Sequence, residues 1–196
     1  MDKTIDYTFF HWGPFLYRTA VTEEEINLIK NLCSKKNKDV RKTLAGMIKH
    51  EHEVDRKKLF PIMAPYLESY IRAFHDYNGA HLGNKMELIS AWVNYMTKFE
   101  YNPSHTHEED LSFVLFLQVP KGLKKEISEY PGNAKPGALN FTYTLNNKKE
   151  LINSHIFFPN VGELFIFPSC LHHDVNSFQS EGERISVSGN IKITNG

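Results

Sequence analysis

Gly162-Glu163-Leu164-Phe165-Ile166-Phe167-Pro168-Ser169-Cys170-Leu171-His172-His173-Asp174-Val175 is the stretch on which the reading of this chain turns. Leu164 to Phe167 is an apolar run of strand length, stopped by Pro168-Ser169, and the chain then turns and sets down two histidines. Arg184 follows eleven residues after His173, across a turn at Gln179–Glu183. If that turn closes a hairpin, the guanidinium lies near the histidine, one strand over. Arg184-Ile185-Ser186-Val187-Ser188 alternates, so Arg184 and Ser186 share one face of a strand. A fork of N–H donors beside a hydroxyl suits a carboxylate bound at two points. A solvated pair between Arg184 and Glu181 or Glu183 is the plainer alternative.

Upstream stands a second pair, His105-Thr106-His107, between the turn-like Asn102-Pro103 and an apolar run from Leu111 to Val119. Residues two apart in a strand face the same way, about 7 Å apart along the chain. Two imidazoles so placed, joined by His173 from a distant strand, make a three-point face on a metal ion. The other positions on the ion stay open, as catalysis requires. Imidazole suits iron, zinc, copper or nickel, so the donors alone do not name the metal. A lone His-x-His is common on surfaces; the histidine and arginine downstream lift this one above that background.

From Met86 onward the chain reads as short strands: Leu88–Met96, Leu111–Val119, Ala138–Leu145, Ile156–Pro159, Glu163–Phe167, His173–Phe178 and Arg184–Ile193. Turn residues separate them, among them Pro131-Gly132-Asn133, Pro136-Gly137 and Asn146-Asn147. The first 85 residues read mainly as helical support. Thr22 and Glu25 form a capping box ahead of Ile26, Ile29 and Cys33, and a second helix spans about Pro61 to Tyr77, stopped by Asn78-Gly79. Lys35 to Lys58 reads as a solvated basic stretch, or else a basic patch facing substrate. Helices followed by at least seven closely spaced strands indicate an α+β chain whose β part is a jelly roll or barrel, in a single domain over 1–196.

A length of 196 residues, 41% hydrophobic and 13% aromatic, suffices for a core without staples. Lys+Arg and Asp+Glu balance at 23 each, so no global field draws nucleic acid or an anionic membrane. Cys33 and Cys170 form no framework, and the N-terminus carries no apolar signal segment, so a cytoplasmic location is expected.

These motifs resemble the 2-oxoglutarate and iron(II)-dependent oxygenases, the superfamily of the prolyl hydroxylases, and within it a small branch found widely in bacteriophages and marine bacteria. The resemblance runs over residues 90–193 through Trp92-Val93-Asn94, His105-Thr106-His107, Leu111-Ser112-Phe113-Val114-Leu115, the Gly162–Ser169 strand, His173-Asp174-Val175 and Arg184-Ile185-Ser186-Val187-Ser188. It implies a double-stranded β-helix. It also implies Fe(II) on His105, His107 and His173, and 2-oxoglutarate held on Arg184 with help from Ser186. O2 is the co-reactant, and ascorbate a supporting reductant. Most of the superfamily has a carboxylate where His107 stands, so the alternative is that Glu109 or Asp110 supplies the remaining ligand in place of His107 or His105, with His107-x-Glu109 as the working pair. His172 is expected to be exposed or to stand behind the ligands. Asn94, Trp92 and Tyr101 are pocket candidates, and Phe141 and Tyr143 are either pocket wall or core. The implied reaction hydroxylates a C–H bond, with succinate and CO2 as co-products, on a peptide, protein or small molecule. Aromatic rims at Tyr7–Tyr17 and Tyr95–Tyr101 are expected to receive a peptide. Two rivals remain: a cupin-like metal enzyme without 2-oxoglutarate, and a metal-free jelly-roll binding module.

Overall fold

The computed structural model describes residues 4–11, 13–83, 85–130, 132, 135–144 and 152–194. The expected turn at Asn146-Asn147, most of the one at Pro131-Gly132-Asn133, and the end of the expected strand at Leu145 lie outside these residues. The described chain runs β1 (Tyr7–His11), β2 (Phe15–Ala20), α1 (Glu23–Leu32), β3 (Glu51–Glu53), α2 (Arg56–Asn78), β4 (Lys85–Met96), β5 (Asn102–His105) and β6 (Leu111–Gln118). It continues with α3 (Leu123–Glu129), β7 (Leu139–Thr144), β8 (Ile152–Phe157), β9 (Glu163–Pro168), β10 (His172–Val175) and β11 (Arg184–Thr194).

Two antiparallel sheets face each other. The larger has the order β1-β2-β9-β6-β11-β4-β3 and the smaller β5-β10-β7-β8. This is the expected double-stranded β-helix. Its central strands carry unbroken apolar runs because both faces of the larger sheet are covered. β6 is buried from Leu111 to Leu117. One face packs Val93, Phe113, Leu115, Ile166 and Val187 against Met63, Tyr66, Leu67 and Tyr70 of α2. The opposite face packs Met96, Val114, Phe116, Phe165 and Phe167 against Leu139, Phe141 and Val175 of the smaller sheet. At one end of this second, inner layer the packing opens, and the polar site lies there.

The helices follow their local chemistry. Thr22 and Glu25 close the expected capping box at the start of α1. α2 begins at Arg56, five residues before the expected start at Pro61, because Asp55 caps it by accepting from the N–H groups of Lys57 and Lys58. Pro61 and Pro65 sit inside the helix rather than opening it. Each removes one hydrogen bond, a loss borne by the buried stripe of Leu59, Met63, Tyr66, Leu67 and Tyr70. Gly79, at φ 64°, ends the helix in the left-handed region that favours glycine. Tyr17 donates to Ser69 Oγ at 2.9 Å, tying β2 to this helix.

Several sequence expectations are corrected. The segment before residue 85 supplies three strands as well as helices. Asn102-Pro103 opens strand β5 rather than a turn. α3 had no clear signal; its Glu126 accepts the N–H groups of Gln179 and Ser180 at 2.8 Å and so holds the loop leading into β11. The largest correction is that β10 and β11 form no hairpin. β10 pairs with β5 and β7, whereas β11 crosses to the other sheet and pairs with β4 and β6. Arg184 therefore reaches the site from the opposite sheet.

Candidate metal centre

Cross-strand pairing brings the first two imidazoles together. His105 at the end of β5 is the register partner of His173 in β10, and their ring centroids are 4.2 Å apart. His107 lies two residues past the end of β5, not in the same strand as expected. Its backbone N–H donates to the Ser169 carbonyl at 2.9 Å, which curls the loop back over the site. Its ring stands 5.0 Å from His105 and 5.2 Å from His173. One nitrogen from each ring lies within 4.8 Å of the others, and among the described residues this is the group of His, Cys, Asp or Glu side chains able to hold a metal ion.

The tautomers suit ligation. His105 Nδ1 lies 2.7 Å from the Pro103 carbonyl and His173 Nδ1 2.9 Å from the Leu171 carbonyl. A carbonyl only accepts, so each Nδ1 carries the proton and each Nε2 keeps its lone pair for an ion. Burial lowers the pKa of all three. His173 falls to about 3, with His105 and His107 adding repulsion. His107 falls to about 4 through burial and then His105. His105 is lowered by burial against the partly opposing pull of the Pro103 carbonyl. Three neutral imidazoles at physiological pH are a donor set that fits Fe(II).

Beside them lies a small cavity, lined by all three histidines and by Trp92, Asn94, Arg184 and Ser186. Arg184 and Ser186 do share the inward face of β11, and Asn94 is the register partner of Ser186 on β4, with its amide 3.5 Å from the hydroxyl. Arg184 is 2% exposed. Its guanidinium lies over the Phe116 ring at 4.7 Å, while Nε and Nη2 have no hydrogen-bond partner. Burial drops its pKa to about 9. A buried, unpaired cation costs several kcal/mol, and a carboxylate entering the cavity removes that cost. The unpartnered Asn94 Oδ1 and Asn102 Oδ1 offer further polar contacts at its wall.

The remaining expectations divide. His172 is exposed. Asp110 is exposed and its carboxylate accepts the Ile193 N–H at 2.6 Å; Glu109 lines a neighbouring cleft; neither joins the histidines. Tyr101 is exposed and Phe141 is core, and neither lines the cavity. Tyr7 and Phe9 stack against Tyr17 and Phe15, which pack on α2, so that aromatic cluster is no rim of the site. Tyr95 also faces the helix side. Ser112, Ser188, Asn102 and Ile48 line the cavity without having been singled out. Ser188 was legible as the next alternate residue after Arg184 and Ser186, whereas Ile48 carries no sequence signal.

Residues 90–190 match the family described as putative 2OG-Fe(II) oxygenase. The chain belongs to that family. It is a 2-oxoglutarate- and Fe(II)-dependent dioxygenase, with O2 as co-reactant, and the two rival readings are not favoured. No curated protein matches the sequence. Among solved structures, a Pseudomonas putida prolyl-4-hydroxylase is 15% identical at a TM-score of 0.59, over 91% of this chain and 92% of that one. A viral collagen prolyl hydroxylase from Paramecium Bursaria Chlorella virus-1 is 13% identical at 0.54, over 93% and 98%. A non-heme alpha ketoglutarate dependent carbocyclase from nogalamycin biosynthesis is 8% identical at 0.58, over 91% and 80%. At such identities the likeness concerns the fold.

Proposed function

We propose that His105, His107 and His173 hold the iron, that Arg184 with Ser186 and Asn94 holds 2-oxoglutarate, and that the enzyme hydroxylates a C–H bond of a peptide or protein side chain. The observation that carries this reading is the buried Arg184 guanidinium, with two unpartnered nitrogens beside three convergent imidazoles. Bound iron supplies the activation of O2: one oxygen atom enters succinate as 2-oxoglutarate loses CO2, the other enters the substrate, and C–H becomes C–OH.

The protein's own groups bind and orient. Arg184 grips the carboxylate remote from the metal through two parallel N–H bonds, and the Ser186 hydroxyl adds a donor. Phe116 and Met96 flank the guanidinium and exclude water from that end. The Pro103 and Leu171 carbonyls keep Nδ1 of their histidines protonated and so fix which nitrogen faces the ion. The peptide assignment draws on the two prolyl hydroxylases among the similar structures and is the analogy of a shared fold. Cys33 and Cys170 are both free thiols, which accords with a reducing, cytoplasmic setting, and the whole chain is taken to act as one oxygenase unit. No helix among the described residues is long and apolar enough to cross a membrane.

The test is succinate formation from 2-oxoglutarate with Fe(II) and ascorbate, with and without peptides. Turnover that needs both Fe(II) and 2-oxoglutarate supports the assignment. Arg184→Ala is expected to raise the 2-oxoglutarate KM by a factor of a hundred or more, from the roughly 3–5 kcal/mol lost on breaking a buried charged pair. An unchanged KM would remove Arg184 from the cosubstrate site.

A further inference from the structure

His107 is held differently from the other two histidines of the site. His105 and His173 lie in paired strands, and each has its ring fixed by a bond from Nδ1 to a backbone carbonyl. His107 lies beyond β5, and its ring makes no hydrogen bond among the described residues. Apart from packing on Trp92, with ring centroids 5.7 Å apart, its place is set by the backbone of the loop from Thr106 to Asp110.

Ser169 and Asp110 hold that loop. Ser169, just past β9, is fully buried, and all three of its polar groups are engaged. Its carbonyl accepts the His107 N–H at 2.9 Å, its N–H donates to the Asp110 carbonyl at 3.1 Å, and its hydroxyl lies 2.7 Å from that of Ser112. A count of protons gives the last bond its direction. Asn190 Oδ1 only accepts, so Ser112 gives its one proton there, at 2.9 Å. Ser169 therefore donates to Ser112. The chain of bonds runs from the end of β9 through β6 to β11, where Asn190 is the register partner of Ser112. Ser112 stands in the buried apolar run of β6, where a hydroxyl is costly unless it is bonded. Asp110 fastens the far end of the loop. Its N–H donates to the Ile191 carbonyl at 3.1 Å, and its exposed carboxylate accepts the Ile193 N–H at 2.6 Å. The loop is thus buckled to β11, the strand that carries Arg184 and Ser186.

We propose that Ser169 and Asp110 are positioning residues for His107. They fix the loop so that the third imidazole stays at the ion, in place of the ring hydrogen bond that the other two imidazoles have. Neither residue belongs to the three-nitrogen face itself. The physical cause is preorganisation: a ligand on a loose loop is ordered only when the metal binds, and that ordering is subtracted from the metal affinity. This inference rests on His107 being an iron ligand, and the test separates the two claims.

Mn(II), a redox-stable stand-in for Fe(II), is titrated by calorimetry into the full chain in the absence of oxygen. Wild type is compared with Ser169→Ala, Asp110→Ala and Asp110→Asn, and with His107→Ala as the reference for loss of the ligand. Ser169→Ala and Asp110→Ala are expected to weaken Mn(II) binding by about tenfold or more, the range seen when a partner behind a metal ligand is removed. Asp110→Asn keeps an oxygen that accepts the Ile193 N–H, so it should recover most of the affinity lost in Asp110→Ala. At saturating metal the 2-oxoglutarate KM should stay within about twofold of wild type, since the residues that grip the cosubstrate are untouched. A purely structural role would lower the melting temperature and leave the metal affinity of the folded chain as it was. Should the buried Ser169→Ala fail to fold, the two Asp110 variants, at an exposed position, carry the test. Wild-type metal affinity in either folded alanine variant, or an Asp110→Asn as weak as Asp110→Ala, overturns the proposal. Undiminished Mn(II) binding in His107→Ala overturns instead the ligand assignment beneath it.

Discussion

Arg184 is costly to the empty protein, and the proposed cosubstrate would remove that cost. A buried guanidinium with two idle nitrogens lowers stability until a carboxylate arrives. Arg184→Met, close in volume and apolar, is therefore expected to raise the melting temperature of the apo protein by several degrees while abolishing the stabilisation that 2-oxoglutarate gives the wild type. Thermal unfolding with and without the cosubstrate checks both halves. Glu51 has the same character and was invisible in the sequence, since nothing marks one glutamate in a basic stretch as buried. It is fully buried and neither carboxylate oxygen has a partner. Burial pushes its pKa up to about 7. A carboxyl whose folded pKa exceeds the unfolded value of about 4.5 favours the folded state at low pH and loses that advantage as pH climbs from 4.5 to 7. Glu51→Gln should thus change stability little at pH 4.5 and raise it by up to about 3 kcal/mol at pH 8, measured by denaturant unfolding at the two pH values. By contrast, alternation made Arg184 and Ser186 readable as one face, and the motif context marked His105, His107 and His173 although His107 lies outside the strand; the structure gathers those five around one cavity.

At the scale of elements, local grammar gave the strands from β4 onward, apart from β5, and both long helices, but not which strands pair. Alternation tells which face a residue takes; it does not tell which sheet receives the strand. That is why the expected β10–β11 hairpin is instead a crossing between sheets, and why β1, β2 and β3, short and flanked by polar residues, went unseen. β11 depends on Gly189. A Cβ there would meet the Ser90 carbonyl oxygen and the Phe113 ring at 2.7 Å each, and the backbone oxygen has little freedom to retreat. Gly189→Ala should cost about 1–3 kcal/mol and, by shifting β11, weaken 2-oxoglutarate binding as well. Unfolding and cosubstrate titration of the same variant measure the two effects. At β10 the pairing with β5 does what no single strand does: it makes His105 and His173 direct partners.

The whole molecule divides its labour between two faces of one sheet. Helices α1 and α2 seal the outer face, and the smaller sheet covers the inner one but leaves its end open around the histidines. The family match over residues 90–190 corresponds to the sheets that make the site, and the chain before it adds β1 to β3 and the helical cover. Glu53 and Ile48 show that this N-terminal part also reaches the cleft and the cavity, which its lack of recognisable motif did not announce.

The proposed iron site has three imidazoles and no carboxylate. Anaerobic titration of Fe(II) into wild type, His107→Ala and Glu109→Ala tests this directly. One Fe(II) per chain is expected for the wild type and for Glu109→Ala, with affinity lost in His107→Ala. Iron retained without His107 and lost without Glu109 would contradict it.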